Sequence, residues 1–360
     1  MKKINIILAL ALAFFVGGCK EKPEPVGKEA VKIGFILPLS GKLAHLGESL
    51  RDAALMAKED EGKTKLSYQF IFEDGQANAR VTATAIQKLI NVDKVDAVVS
   101  FSSTSGNVIN PVAEKAEVVH LAVATDPKIA SGKFNFIHWT PNQRLAEGMA
   151  KVLSEKKFRK VAVFVSNAQG PLSLLDAFEK SVKGTGIEIV FRSKQNVGER
   201  DFRIAVNESR QADPDIYLLL CIPPELEIIT KQLREQGVAL PVTSMAAFNI
   251  SPEPSIFEGS WFIDGADITE EMKARFREKY GHKDAKYVGN IYDVVKMIVH
   301  VSEQSPQKPS SKEIANALLR IENFEGAVGA VSIDDQGIVQ SRATLQEIRG
   351  GKSVIIKRDL

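Results

Sequence analysis

Two patches of small hydroxyl side chains follow neighbouring, mostly apolar runs in the first half of the chain. Val95–Val99 is followed by Ser102, Ser103, Thr104 and Ser105, and Val118–Ala124 is followed by Thr125. Hydroxyl groups and free amide N–H groups at the start of a helix can hold a carboxylate or another small anion. The two patches together predict an anion-binding site. For each hydroxyl taken alone, the alternative is that it caps a helix or forms a turn.

The elements around these patches must bring them together. Asn107–Glu117 has the pattern of a short helix, so the segment from Val95 to Pro127 is a strand–helix–strand unit of a parallel sheet. Parallel strands joined by a helix end at the same edge of their sheet. Open α/β sheets bind ligands at that edge, and we therefore expect both patches to face one ligand.

The order of elements predicts an α/β fold of two doubly wound Rossmann-like lobes. Strands and helices alternate over residues 31–127, and a second alternation covers residues 160–245. Helical spacing then runs through residues 268–321, including a helix expected at Lys286–Ser302. Phe324–Asp334 reads as extended, and Ser341–Ile348 with Lys352–Lys357 reads as a terminal hairpin.

The N-terminus has the features of an export signal. Lys2 and Lys3 precede an apolar run, Ile6–Val16, that is shorter than the roughly 20 residues of a membrane span. Val16–Cys19 resembles a bacterial lipobox, which predicts a signal peptide over residues 1–19 and lipid attachment at Cys19. An ordinary secretory signal with a chance cysteine is the alternative. Residues 20–30 are charged and Pro-rich and predict a flexible tether.

Composition narrows the function. The chain has 360 residues, is 44% hydrophobic and has a net charge of +2 with both signs interspersed, so it suits two core-forming domains and offers no field for nucleic acid. Cys221 is the only cysteine besides Cys19 and reads as a buried thiol rather than a nucleophile. The five histidines are scattered without metal-ligand spacing, and no nucleophile motif is present. We expect no enzyme activity, no cofactor and no metal.

The ordered set of motifs resembles the type I periplasmic solute-binding proteins, in particular the leucine/isoleucine/valine-binding lipoproteins of branched-chain amino acid ABC transporters. The matching stretches span nearly the whole mature chain and are IGFILPLSGKLAHLG (33–47), FEDGQANARVTATAIQKLI (72–90), the segment 95–127, KVAVFVSNAQG (160–170), DFRIAVNESRQADPDIYLL (201–219) and FEGAVGAVSIDDQG (324–337).

The resemblance implies two lobes that close about a three-stranded hinge onto a solute in the cleft. The expected crossings are Ile137–Pro141, Ile263–Gly265 and Phe324–Val328, so lobe 1 would comprise residues 31–138 and 265–325, and lobe 2 residues 139–264 and 326–360. The resemblance also implies an ABC permease as partner and a lipid-anchored position on the periplasmic, extracytoplasmic face of a membrane. The alternative is a ligand-sensing subunit of the same fold that acts on a regulator or receptor.

The resemblance further implies which residues bind the solute, an amino acid or a related carboxylate or amide. The hydroxyl that holds the carboxylate falls at Ser103 or Thr104, and the next contacts fall at Val123, Ala124 and Thr125. Three positions depart from the amino-acid-binding pattern. Leu46 and Gln169 stand where aromatic residues are expected, and the loop at Ile222 has no tyrosine, although a tyrosine is common there in the family.

The acid that would pair with a ligand ammonium is expected near Ala247, where the sequence reads MAAF. A buried ammonium without a partner loses its hydration at a cost of several kcal/mol. An aromatic or aliphatic carboxylate therefore fits this pattern about as well as an amino acid does. Asp264, Asp267 or Glu48 could supply the charge from another direction, although each also reads as a solvated loop or helix-end residue. Trp139 could cover a ligand or pack between the lobes.

Overall fold

The computed structural model describes residues 30–41, 43–281 and 285–360. The predicted signal peptide, Cys19 and the tether up to residue 29 lie outside these residues, so those predictions remain sequence-based. Within the described part of the chain, no helix is long and apolar enough to cross a membrane.

The first lobe is built on a five-stranded parallel sheet of order β2-β1-β3-β4-β5. The apolar runs predicted as strands form its buried centre, where every residue of β3 and β4 is buried. Between β1 and β3 the strand order reverses, and the hydroxyl patches follow β3 and β4 at this edge. The elements are β1 (Val31–Leu37), α1 (Ala44–Asp60), β2 (Tyr68–Asp74), α2 (Ala79–Lys88), β3 (Ala97–Phe101), α3 (Ser103–Ala116), β4 (Val119–Val123) and β5 (Asn135–Ile137).

The second lobe is built on a four-stranded parallel sheet of order β7-β6-β8-β9. Its last strand is shorter than the predicted Pro241–Met245, because only two of those residues pair with β8. The elements are α4 (Asn142–Glu155), β6 (Lys160–Ser166), α5 (Gln169–Ser181), β7 (Glu188–Gln195), α6 (Arg203–Gln211), β8 (Ile216–Leu220), α7 (Glu225–Glu235) and β9 (Val242–Thr243).

The remaining chain returns to both sheets. Helix α9 packs on α1 beside the first sheet, while β10 pairs with β14, and β14 with β15, in the hairpin that the sequence predicts. The elements are β10 (Trp261–Asp264), α8 (Glu270–Tyr280), α9 (Val288–Ser302), α10 (Ser311–Leu318), β11 (Phe324–Gly326), β12 (Gly329–Ile333), β13 (Val339–Gln340), β14 (Thr344–Arg349) and β15 (Lys352–Lys357).

The third connection between the sheets differs from its predicted position at Phe324–Val328. That segment is the turn of the β11–β12 hairpin, held on α9 because the buried Asp293 carboxylate accepts the amide N–H groups of Ala327 and Val328 at 2.5 and 3.1 Å. Ile338 still bridges to Ile137 of the first sheet. The chain first pairs with β10 at Thr344, in β14, and the lobe boundary expected at residue 325 remains a prediction.

Helix α3 begins at Ser103, ahead of the predicted Asn107. The Ser102 hydroxyl accepts the N–H of Ser105 at 3.2 Å and so caps the helix from within the hydroxyl patch. The patch is therefore the first turn of the helix and the residue before it. For Ser102, capping and a place beside a ligand are compatible.

Candidate functional site

A cavity of about 460 Å³ lies where the carboxyl ends of both parallel sheets face each other. This volume is in the range of small-molecule sites, and the position is the one that the strand order favours. From the first lobe it is lined by the ends of β3 and β4, the start of α3 and the loop before α1. From the second lobe it is lined by the start of α5 and the loops after β8 and β9.

Most of the predicted ligand-binding residues surround this cavity. The structure places around it Ser102, Ser103, Thr104, Val123, Ala124, Thr125, Ile222 and Ala247. These residues come from four separate segments, so their convergence depends on the two sheets facing each other. Their part in binding a solute remains a prediction.

Ser103 and Thr125 form the polar centre of the site. Their hydroxyl oxygens are 3.2 Å apart, and the Ser103 oxygen also accepts the amide N–H groups of Thr125 and Asp126 at 3.2 and 3.1 Å. These bonds join the start of α3 to the loop after β4. Thr104 is exposed in the first turn of α3 and lines the cavity. Among the hydrogen bonds of the described residues, none involves the Thr104 hydroxyl, so it is available to a solute.

Ser105 has a different place from its neighbours. Its side chain is buried beneath the helix start, with its oxygen 3.1 Å from the Thr82 hydroxyl of α2. It does not line the cavity. The alternative that a patch hydroxyl has a purely structural part therefore fits Ser105.

Leu46 and Gln169 also lie away from the cavity. Because α1 begins at Ala44, Leu46 is turned into the core and is fully buried, and Leu43 lines the cavity instead. Gln169 lines a second cavity of about 650 Å³ on the other side of Thr125 and Trp139. Leucine and glutamine stand at these two positions where the resemblance implies aromatic residues, but this difference does not change the wall of the first cavity directly.

Three aromatic side chains form one wall of the cavity; the sequence raised Trp139 as a possible cover for the ligand but did not assign Phe101 or Tyr287 to the site. The Tyr287 ring lies 5.6 Å from that of Phe101 and 5.4 Å from that of Trp139, measured between centroids, and all three line the cavity. Trp139 both packs between elements and covers the cavity, so the two alternatives raised for it are not exclusive. For Phe101, its position directly before the hydroxyl patch is the sequence feature that could have placed it at the site.

The second lobe closely approaches the hydroxyl groups of Ser103 and Thr125, which together form what we call the hydroxyl centre. A Cβ placed on Gly170 of α5 would come within 2.6 Å of the Thr125 hydroxyl and 2.9 Å of the Ser103 hydroxyl. The Thr125 carbonyl accepts side-chain hydrogen bonds from Asn142 at 2.6 Å and Ser173 at 3.2 Å. On the opposite side, a ring nitrogen of His45 is 3.2 Å from the Ile250 carbonyl oxygen. The lobes thus meet on both sides of the cavity.

None of the described residues that line this cavity has a charged side chain. The acids weighed as partners for an ammonium lie elsewhere. Asp264 is buried and accepts hydrogen bonds from the Gly265 amide and Asn249, both at 2.7 Å, and burial raises the pKa of its carboxyl to about 7. Asp267 forms an ion pair with Lys273 at 2.7 Å, and Glu48 is 3.9 Å from Arg51.

A buried Ser–His–Asn arrangement behind the site was not recognised in the sequence. His120 contacts the Ser100 hydroxyl at 2.8 Å and the Asn135 side-chain oxygen at 2.9 Å, which joins β3, β4 and β5. Ser100 and His120 are fully buried, and desolvation lowers the pKa of the imidazole to about 4. A substrate cannot reach this serine in the structure, so the arrangement acts as a cross-strand tie.

Cys221 is buried at the end of β8, and desolvation raises the pKa of its thiol to about 12. A thiolate is the reactive form of cysteine, so this geometry opposes a nucleophilic role at neutral pH. Among the described residues, histidine, cysteine and acidic side chains form no group of three or more that could hold a metal ion.

Comparisons with known proteins agree with this geometry. The family model described as "Periplasmic binding protein" matches residues 30–352. The chain is 22% identical over 351 residues to a leucine-, isoleucine-, valine-, threonine- and alanine-binding protein of Pseudomonas aeruginosa, which covers 92% of each sequence.

Two solved structures share the fold. A leucine-binding protein from Thermotoga maritima has a TM-score of 0.84 at 21% identity, covering 92% of this chain and 99% of that one. A solute-binding protein of an ABC transporter from R. palustris in complex with benzoate has a TM-score of 0.80 at 16% identity, covering 92% and 96%. At these identities the structural likeness is evidence for the fold.

Proposed function

We propose that this chain, which belongs to the periplasmic binding protein family, is the substrate-binding lipoprotein of an ABC uptake transporter of the branched-chain amino acid group. It binds a small amino acid, or a related carboxylate or amide, in the cavity between its lobes. The observation that carries this proposal is the meeting of the hydroxyl centre, Ser103 and Thr125, with the start of α5 across a cavity of suitable size.

Closure about a hinge is the mechanism that we propose for binding. The three connections between the lobes lie side by side, because the Thr140 hydroxyl is 2.7 Å from that of Ser341 and accepts the Ala266 amide at 3.1 Å. Three short connections held together favour rotation of rigid lobes over independent loop movement. We place lobe 1 at residues 31–138 and 265–340, and lobe 2 at residues 139–264 and 341–360.

In this proposal, the solute carboxylate binds at the start of α3. The side chains of Thr104 and Thr125 and the backbone around Val123 and Ala124 offer donors there, and the positive end of the helix dipole stabilises a negative charge. The aromatic wall contacts the body of the solute. Closure brings Gly170 against the same centre and removes the solute from water.

The cellular setting of the proposal rests on the sequence of residues 1–30. Cleavage before Cys19 and acylation of its thiol would hold the protein at the extracytoplasmic face of a membrane, within reach of a permease. Mass spectrometry of the mature protein tests this step, with an intact signal peptide as the contradicting result. A Cys19→Ala variant is the control, because it should lose the lipid and leave the membrane fraction.

Binding is tested by thermal unfolding of the protein spanning residues 20–360 with a panel of amino acids, aromatic and aliphatic carboxylates, amides and ureas. A solute at about 100 times its Kd should stabilise the protein by about 2.7 kcal/mol. No stabilisation by any member, with a cooperative unfolding transition, would contradict the proposed solute class.

The site is tested with Thr104→Val and a matched Thr84→Val control on the exposed face of α2. Loss of a hydroxyl that binds a carboxylate costs about 1.5–3 kcal/mol, so Thr104→Val should weaken binding about 10- to 150-fold. Thr84→Val should leave Kd unchanged. Equal affinities for both variants would place the carboxylate elsewhere.

A further inference from the structure

Building on the proposed function, we infer that the solute is an organic carboxylate with a flat or branched apolar body and no ammonium group. The proposed function leaves an amino acid, a carboxylate or an amide open as the solute, and this inference selects the carboxylate. It rests on three features of the cavity wall, namely two helix N-termini without an acidic side chain in their first turns, the placement of the nearby acids, and the aromatic wall.

Two helices from different lobes begin at the hydroxyl centre. Helix α3 has 14 residues and α5 has 13, and neither has an acidic side chain in its first turn. Ala168, which precedes α5, provides no side-chain cap, and Ala168, Gly170 and Pro171 line the cavity. The Gly170 contact shows that the start of α5 is adjacent to Ser103 and Thr125. Both helix dipoles therefore favour negative charge at the same place.

An α-ammonium would have to lie at this place as well. It is attached to the carbon next to the carboxylate, so it cannot be moved to a distant part of the cleft. The described cavity wall provides no carboxylate there. Asp126 is close in sequence, but its oxygens accept hydrogen bonds from Asn107 at 2.8 Å and the Lys128 amide at 3.1 Å, and it lines the second cavity.

Two backbone acceptors near the hydroxyl centre, the carbonyls of Thr125 and Val123, are also occupied. The Thr125 carbonyl accepts the hydrogen bonds from Asn142 and Ser173, and the Val123 carbonyl accepts the Ser102 amide at 3.0 Å. An ammonium would thus lose its hydration beside two positive helix ends without an equivalent partner. A carboxylate without an amino group avoids this cost.

The remaining wall matches an apolar body. Phe101, Trp139 and Tyr287 form one side, and Leu174, Ile222 and Met245 belong to the other side of the same cavity. Aromatic rings favour offset or tilted contacts with another ring and also pack well against branched aliphatic groups. A cavity of about 460 Å³ accommodates a single ring or a short branched chain beside its carboxylate.

Matched pairs of solutes isolate the contribution of the ammonium group. Isothermal titration compares 3-phenylpropanoate with phenylalanine, and 4-methylpentanoate with leucine, on the unmodified protein spanning residues 20–360. We expect the acid of at least one pair to bind about tenfold more tightly than its amino acid, or more. Equal or tighter binding of the amino acids would overturn the inference while leaving the proposed function intact. If neither these pairs nor any amide or acid of the wider panel binds, both fail.

A charge introduced at Ala247 provides a gain-of-function test. Ala247 is buried and lines the cavity. Ala247→Asp should weaken the acids and strengthen the amino acids, so that the ratio of their Kd values shifts by about tenfold or more. Ala247→Asn is the matched control, because it has the same shape without the charge and should leave the ratio within about threefold. An unchanged ratio in a folded Asp variant would overturn the inference, and the matched pairs decide on the unmodified protein if that variant does not fold.

Discussion

The close approach of Gly170 to the hydroxyl centre makes one small substitution informative. Gly170→Ala adds a Cβ that would lie 2.6 Å from the Thr125 hydroxyl and 2.9 Å from the Ser103 hydroxyl. Ordinary van der Waals contact begins at about 3.4 Å, so one hydroxyl must rotate away or the lobes must separate. Either response acts on the atoms that we propose to bind the solute.

The size of the effect follows from the hydrogen bonds that Ser103 would give up. Its oxygen accepts two backbone amides, each worth about 0.5–1.5 kcal/mol, so rotation would cost about 1–3 kcal/mol. Alanine is favoured over glycine inside a helix by up to about 1 kcal/mol, and position 170 lies in the first turn of α5. This helix preference acts equally on the free and the solute-bound protein and so does not change Kd. The loss of about 1–3 kcal/mol in the closed form predicts about 5- to 150-fold weaker solute binding.

The assay pairs isothermal titration with thermal unfolding of the free protein. Gly148→Ala is the matched control, because Gly148 lies inside α4 and a Cβ there would meet only Leu360 and Ile263, at 3.4–3.6 Å. This control should keep its affinity and gain up to about 1 kcal/mol of stability. Gly170→Ala should lose affinity with a much smaller change in the stability of the free protein, because separated lobes avoid the clash.

Unchanged affinity of Gly170→Ala would refute this reasoning, since the lobes would then bind solute without the close approach at the hydroxyl centre. A loss of stability as large as the loss of affinity would also contradict it. That result would mean that the contact holds the two lobes together irrespective of solute.

Three further predictions concern the same region. Ser103→Ala removes the acceptor for two backbone amides and should weaken solute binding about 5- to 150-fold, measured by titration; unchanged binding would separate this tie from the site. His120 has a pKa of about 4 in the fold, below its ordinary 6.5, so it contributes stability that is present above pH 6.5 and lost as the pH falls towards 4. His120 should account for about 3 kcal/mol of the loss in urea unfolding, and His120→Gln should reduce the pH dependence without abolishing it, because burial also lowers the pKa of His138 to about 4. An equal slope in both proteins would contradict the assignment. Burial should make Cys221 react roughly 10³-fold more slowly with iodoacetamide at pH 8 in the native protein than in urea, and similar rates would show an accessible thiol.

The parallel sheets and the position of the hydroxyl patches could be predicted from the sequence, because both depend on local patterns. Runs such as Val118–Ala124 are apolar at every position except His120, and such near-continuity is typical of a strand buried on both faces. The polar residues that follow then lie at the sheet edge by geometry alone. The second sheet follows from the same pattern.

The orientation of the loop before α1 could not be read in this way. Leu43 and Leu46 are three residues apart and share one helical face, so spacing alone does not say which of them meets the cavity. Gly47 decides it, because it lies directly against the Pro38 carbonyl and leaves no room for a side chain. That contact draws the helix onto the end of β1 and turns Leu46 into the core.

The aromatic wall and the third connection both depend on contacts between distant parts of the chain. Tyr287 reaches the cavity only because α9 packs on α1, and no local pattern marks it as a site residue. Asp293 is a buried acid in a mostly apolar helix, and its carboxylate accepts the amides at Ala327 and Val328. A buried acid in such a helix indicates that some polar segment must cover it, but the sequence does not name the segment.

In the function that we propose, the hydroxyl centre links solute recognition to closure through shared atoms. Ser103 joins α3 to the loop after β4, and the same loop presents the Thr125 carbonyl to Asn142 and Ser173 of the second lobe. A solute carboxylate placed against Thr125 would therefore neutralise the two helix ends that closure brings together, which otherwise repel each other. Binding energy at this point is spent on bringing the lobes together, so a solute that lacks the carboxylate should bind weakly even where its apolar body fits the aromatic wall.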